Sequence, residues 1–244
     1  MDFSGSQSSS PDWAKPMKPI FTAIVEDDRR AVESLLKADP GLATRRTDKA
    51  RLFDGKILHW IYVGDTALHL AAAGHRLEIA GLLLAAGADP NSAANHRAGS
   101  PLHYAADGFS SGPNWNSERQ VQTIRRLVGA GALINAQDKN GATPLHRAVR
   151  TRCAKAVICL LDLGADATLP NKPGSTPFHL AVQNTGHGGT GAEASKAAQR
   201  EIIQEFLRRG LSPTVQDGRG KTVLDCAKSG WIRDVLCDGA QESV

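Results

Sequence analysis

Apolar residues recur along this chain in short helical blocks, and one block returns several times. GDTALHLAAA (64–73), GSPLHYAAD (99–107), GATPLHRAV (141–149) and GSTPFHLAV (174–182) share one order of turn, cap and apolar positions. A fifth block, GKTVLDCAK (220–228), keeps the frame but puts Asp225 where the others carry His. Leu and Ala fall at helical spacing in each block, and small Ala permits close helix contact. Thr or Ser ahead of the apolar run caps a helix start, and Pro fits the first turn, where its missing N–H would lack a partner anyway. A second helical stretch follows each of the first four blocks and stops at a glycine, in IAGLLLAAGADPN, TIRRLVGAGALIN, AVICLLDLGADAT and IIQEFLRRGLSPT. Gly87, Gly131, Gly164 and Gly210 mark those stops, since glycine tolerates the left-handed conformation of a helix terminus. PIFTAIVEDDRRAVESLLKADPGLAT (19–44) has the same rhythm with Thr22 at the His position, and its charged residues suit an end unit with one solvent-facing side. A single helix pair cannot bury its apolar face, so stacking of pairs is the source of a continuous core.

The combination of T-P-L-H-x-A with L-L-x-x-G-A-D resembles the ankyrin repeat, over nearly the whole chain from about residue 18 to 237. The resemblance implies an all-α solenoid of about six helix–turn–helix units with β-turn fingers. The units fall near 18–44, 64–97, 98–138, 139–171, 172–217 and 218–237, between a disordered tail over 1–17 and a C-terminal tail over 238–244. It also implies that His69, His103, His146 and His179 brace their turns by hydrogen bonding. The function it implies is non-catalytic recognition of a protein partner through a concave groove and the fingers.

Equivalent positions 22, 69, 103, 146, 179 and 225 are separated by 47, 34, 43, 33 and 46 residues. Against a unit of about 33, three units carry inserts of roughly 14, 10 and 13 residues. Inserts fall in loops and often mark a binding face. The first is an enlarged finger over 45–63, where Asp54-Gly55 is a turn signal between strand-like runs in RLFDGKILHWIYV. Trp60 and Tyr62 would share one face of such a strand, either covering the adjacent helices or contacting a partner. The second and third inserts, 108–116 and 184–195, lie between the two helices of their units. Ser117-Glu118-Arg119-Gln120 after the second insert reads as a capping box that restarts a helix.

Positions one and four after the motif His share a helix face, and in the ankyrin family that face lines the concave groove. Tyr104, Asp107, Arg147, Arg150 and Gln183 then form a polar recognition strip, or an internal Asp107–Arg150 brace, and the two readings are compatible. With Trp60 and Tyr62 they make the expected partner-binding set. The alternative is a small anionic-ligand or enzymatic site in which the two helix-turn inserts wall a pocket. There Arg150 and Arg152 would grip the anion, with Trp115, Asn116, Asn184 and His187 around it.

Catalysis has little support in the motifs. There is no HExxH and no G-x-S-x-G, and the glycine-rich stretch 186–191 follows a helix and lacks a closing Lys-Ser/Thr pair, so it reads as a flexible loop before an anion nest. No cofactor and no metal are expected. Four cysteines without a CxxC spacing suit reduced thiols in an intracellular protein. Twenty-nine basic against 25 acidic residues give a net charge of +4 in mixed order, a solubility property and not a nucleic-acid stripe. No apolar run approaches the roughly 20 residues that cross a bilayer, and no secretory signal is visible. A cytoplasmic monomer that contacts neither nucleic acid nor membrane is therefore expected.

Overall fold

The computed structural model describes residues 18–54, 56–108, 115–184 and 191–241. Its helices are α1 (Lys18–Glu26), α2 (Arg29–Ala38), α3 (Ala67–Ala73), α4 (Leu77–Ala85), α5 (Pro101–Ala106) and α6 (Ser117–Gly129). They continue as α7 (Pro144–Arg150), α8 (Ala154–Asp162), α9 (Pro177–Ala181), α10 (Glu193–Arg208), α11 (Val223–Cys226) and α12 (Gly230–Gln241). Strands β1 (Arg51–Asp54) and β2 (Leu58–Ile61) form an antiparallel hairpin with Leu52 opposite Trp60 and Phe53 opposite His59.

The helices pack in two layers. α1, α3, α5, α7, α9 and α11 form one row, α2, α4, α6, α8, α10 and α12 the other, each helix touching its neighbours in the row and, through α10, its own hairpin mate. Between the rows runs a core in which the same block position is buried in four units, as Leu68, Leu102, Leu145 and Phe178, while Leu224 of the last block is only partly buried. Phe178 meets Phe206 of α10 at 5.2 Å between ring centres.

Local chemistry explains the helix boundaries. Thr66, Ser100, Thr143 and Thr176 cap the first helices, and the motif His three residues on returns the bond to the cap backbone. Histidine thus stands where a capping box usually has Glu or Gln. Gly87, Gly131, Gly164 and Gly210 adopt φ between 78° and 92° after the second helices. The residue beyond each closes the terminus, as in Ala88 N–H to Leu83 O at 2.9 Å. The fingers are closed by carboxylate or amide side chains, such as Asp138 accepting from the N–H groups of Asn140 and Ala142.

Several boundaries differ from the sequence expectation. α12 continues through Gln241, past the expected boundary at 237. α10 begins at Glu193, so the last three residues of the expected loop 184–195 are helical. Asn116, not Ser117, caps α6 by accepting from Arg119 N–H at 3.0 Å. Gln120 is drawn inward because α5 ends with carbonyls that have no helical partner. Its Nε2 donates to Ala105 O at 3.1 Å and Ala106 O at 3.3 Å. Gln199 does the same for α9. The expected tail 1–17, and 109–114 and 185–190 of the two inserts, lie outside the described residues.

Candidate functional site

The enlarged finger does not project from the stack; it lies back across the first-helix row. Phe53 meets Phe21 of α1 edge to face at 6.1 Å, Ile61 is fully buried and β2 packs on α3. His59 stacks on Tyr104 of α5 with ring centres 4.7 Å apart. Alternation along the hairpin thus gives one face to the stack (Phe53, His59, Ile61) and leaves Leu52, Leu58 and Trp60 outward.

This placement corrects the groove expected from the sequence. Tyr104 was to line it, yet it is buried, with His59 of the hairpin stacked on its ring. The Tyr104 hydroxyl donates to Asp65 Oδ2 at 2.7 Å. Asp65, itself wholly buried, also accepts from Tyr62 N–H and Asn95 Nδ2, both at 2.7 Å. Burial, and then the Asp65 charge, push the Tyr104 phenol well above its ordinary value.

Beside the hairpin a cleft of about 250 Å³ opens, with Trp60, Tyr62, Tyr104, Asp107, Arg147 and Arg150 on its walls. Six of the seven residues expected to bind a partner therefore converge there. The seventh, Gln183, is an exposed residue outside the cleft. Arg147 donates through Nη1 to Asp107 at 3.1 Å and through Nη2 to Asp138 at 2.6 Å. Burial alone would lower its pKa, but the two carboxylates raise it, and it stays charged. Arg150 Nη2 reaches both Asp107 oxygens, at 3.2 and 3.3 Å. Burial acts to raise Asp107. The facing His59 imidazole, 3.9 Å away, and the two guanidinium groups outweigh it and hold the carboxyl at about 2.

Missing from the sequence reading of this cleft is Arg97, whose guanidinium lies 4.5 Å over the Tyr62 ring and lines the same wall. The signal was the aromatic itself, which favours a cation above its face; nothing local paired positions 62 and 97.

The anionic-ligand alternative finds no support among the described residues. Arg150 turns to Asp107 on the groove side, whereas Arg152 Nη2 donates to the carbonyls of Gln183 (3.1 Å) and Asn184 (3.3 Å). Asn116 is the α6 cap, Asn184 accepts from Ser229 at 2.8 Å, and Trp115 is half-buried against the core. Among the described residues these groups make their contacts within the stack. His187 lies outside the described residues.

The motif histidines follow one geometry. Nδ1 of His103 accepts from Ser100 N–H at 3.1 Å, and Nε2 lies 3.0 Å from Ala142 O of the next finger, so Nε2 carries the proton. His69, His146 and His179 reach Gly99 O, Ser175 O and Lys221 O in the same way. Each brace ties one unit to the next.

Among the described residues no helix is long and apolar enough to cross a membrane. Residues 63–95 match the family described as "Ankyrin repeat", and 115–190 match "Ankyrin repeats (3 copies)". "Ankyrin repeat and SOCS box protein 16" of Homo sapiens is 32% identical over a region covering 49% of this chain and 33% of that protein. "Alpha-latrotoxin-Lhe1a" of Latrodectus hesperus is 39% identical over 36% of this chain and 6% of its own length. "Alpha-latrotoxin-Lt1a" of Latrodectus tredecimguttatus is 38% identical over the same shares. The chain thus spans a third or less of the length of these curated relatives. Paired helices in two rows, histidine-braced turns and these matched stretches make this chain a member of the ankyrin repeat family.

Proposed function

We propose that the chain is a non-catalytic recognition module that binds a protein partner at the cleft beside the hairpin and along the groove beyond it. Ankyrin repeats generally mediate protein–protein interaction, and this class of function follows from the family. The observation that favours the cleft is the convergence of Trp60, Tyr62, Arg147 and Arg150 on one concavity, between elements far apart in sequence. Aromatic and Arg side chains dominate binding energy at protein interfaces, and a braced stack presents them already ordered, which lowers the cost of association. On this reading the six helix pairs are six units, with a finger enlarged over 45–63 and helix turns lengthened in the third and fifth. The module acts inside the cell as a monomer, without nucleic acid.

Hydrogen exchange of the full chain with an affinity-purified partner tests the reading. Protection is expected over 51–62 and the first-helix segments 101–107 and 144–150. Protection confined to the second helices would move the interface to the opposite face. Trp60→Ala and Arg150→Ala should each weaken that partner by at least about 1–2 kcal/mol. Tyr104→Ala is a poor probe, because Tyr104 supports the hairpin from beneath.

A further inference from the structure

We propose that the cleft between the hairpin and the first-helix row docks a short acidic segment of a partner protein, one apolar side chain flanked by carboxylates. This rests on the recognition reading above and adds the chemistry of the partner. Among the described residues six large apolar side chains are exposed, and four of them (Leu52, Leu58, Trp60 and Val63) lie on this one finger. Singly scattered apolar residues need no explanation, but a cluster marks an interaction surface. Register puts Leu52 directly across from Trp60, with Leu58 two residues along the same face.

Cations border this apolar wall. Arg150 commits only Nη2 to Asp107, so Nε and Nη1 have no protein acceptor among the described residues, and the side chain is 56% exposed. Arg97 is exposed, lies over Tyr62 and makes no ion pair among the described residues. Asp107 and Asp138 are both bound by Arg147, so neither is open to pair with Arg97. Arg46, Lys49 and Arg51 on the approach to the hairpin are also exposed, with Asp48 among them. A guanidinium with open donors grips a carboxylate in a two-pronged fork, whereas a basic segment would meet like charge. The cleft volume of about 250 Å³ falls below the roughly 300–1,000 Å³ of small-molecule sites. It suits a single inserted side chain.

Fluorescence polarisation with the full chain tests this, using labelled Glu-Glu-Phe-Glu-Glu against Gln-Gln-Phe-Gln-Gln, Glu-Glu-Ala-Glu-Glu and Lys-Lys-Phe-Lys-Lys. The first is expected to bind at least about tenfold tighter than each of the others. Arg97→Gln with Arg150→Gln should erase its advantage over the glutamine peptide, and Trp60→Ala its advantage over the alanine peptide. Melting curves establish that each variant is folded. Equal binding of the glutamate and glutamine peptides, tighter binding of the lysine peptide, or indifference to the arginine substitutions would overturn the inference. If these peptides fail while the natural partner still protects the hairpin from exchange, the acidic chemistry is refuted and the recognition reading stands. Partner protection away from the hairpin refutes that reading instead.

Discussion

His69, His103 and His146 carry out a structural task that requires a neutral imidazole, accepting at Nδ1 and donating at Nε2. Burial supplies that condition by lowering all three. For His103 burial outweighs the help a proton would receive from Asp138 and Asp107, Arg147 opposes it further, and the pKa falls to about 4. His75, donating to Ala105 O from the turn after α3, is likewise pushed to about 4 by burial. In the unfolded chain both titrate near 6.5, so acid favours unfolding. Stability should be flat above about pH 6.5 and fall toward pH 4, by about 3 kcal/mol for each of these two groups. Asp107, held at about 2, acts only below its ordinary value of 3.8. Melting temperatures between pH 7.5 and 4.5 check this. His103→Gln, which keeps an acceptor and a donor but does not titrate, should flatten the acid limb; an unchanged limb would place the sensitivity elsewhere. The brace of each turn was what the family resemblance implied, and the exception at Asp225 was visible in the sequence. Asp225 accepts from Thr222 N–H at 2.9 Å as His does, but has no proton to offer a following unit, and none follows it among the described residues.

At the scale of elements, the turn between the helices of a unit shows how the chain finishes a short helix. Where the turn is tight, the left-handed residues His75 and Arg152 reach carbonyls at the end of the next first helix. In the two units with inserts, Gln120 and Gln199 of the second helix close the same kind of terminus. Sequence inspection read Gln120 as half of a capping box because the spacing fits one. Only the nearness of the α5 carbonyls, set by packing, decides otherwise. The hairpin depends on its exit as well as its contacts. Gly64 has φ 93°, and a side chain there would run into the Ala94 carbonyl. Gly64→Ala should therefore cost about 1–3 kcal/mol in chemical denaturation. It should also raise exchange over 51–61, while substitution at exposed Lys49 leaves both unchanged.

For the whole molecule, stability comes from repetition, each pair burying its neighbour's face. No group of three or more His, Cys, Asp or Glu among the described residues is placed to hold a metal ion. Excess chelator should therefore leave the melting temperature unchanged, and a fall of more than several degrees would reveal a structural metal. What the sequence determined by itself was local and periodic: caps, prolines, terminal glycines and the recurring histidine of each turn. Those features act within a few residues, or one period away, so spacing encodes them. Tertiary structure alone decided that the enlarged finger folds back over Tyr104, that Arg150 and Arg152 turn to different partners, and that Arg97 joins Trp60 at one cleft. Asp107 and Arg150 are 43 positions apart, and Tyr104 and Asp65 are 39. At such separations the partner of a side chain is chosen by which surfaces exclude water together, a property of the assembled stack that no spacing records.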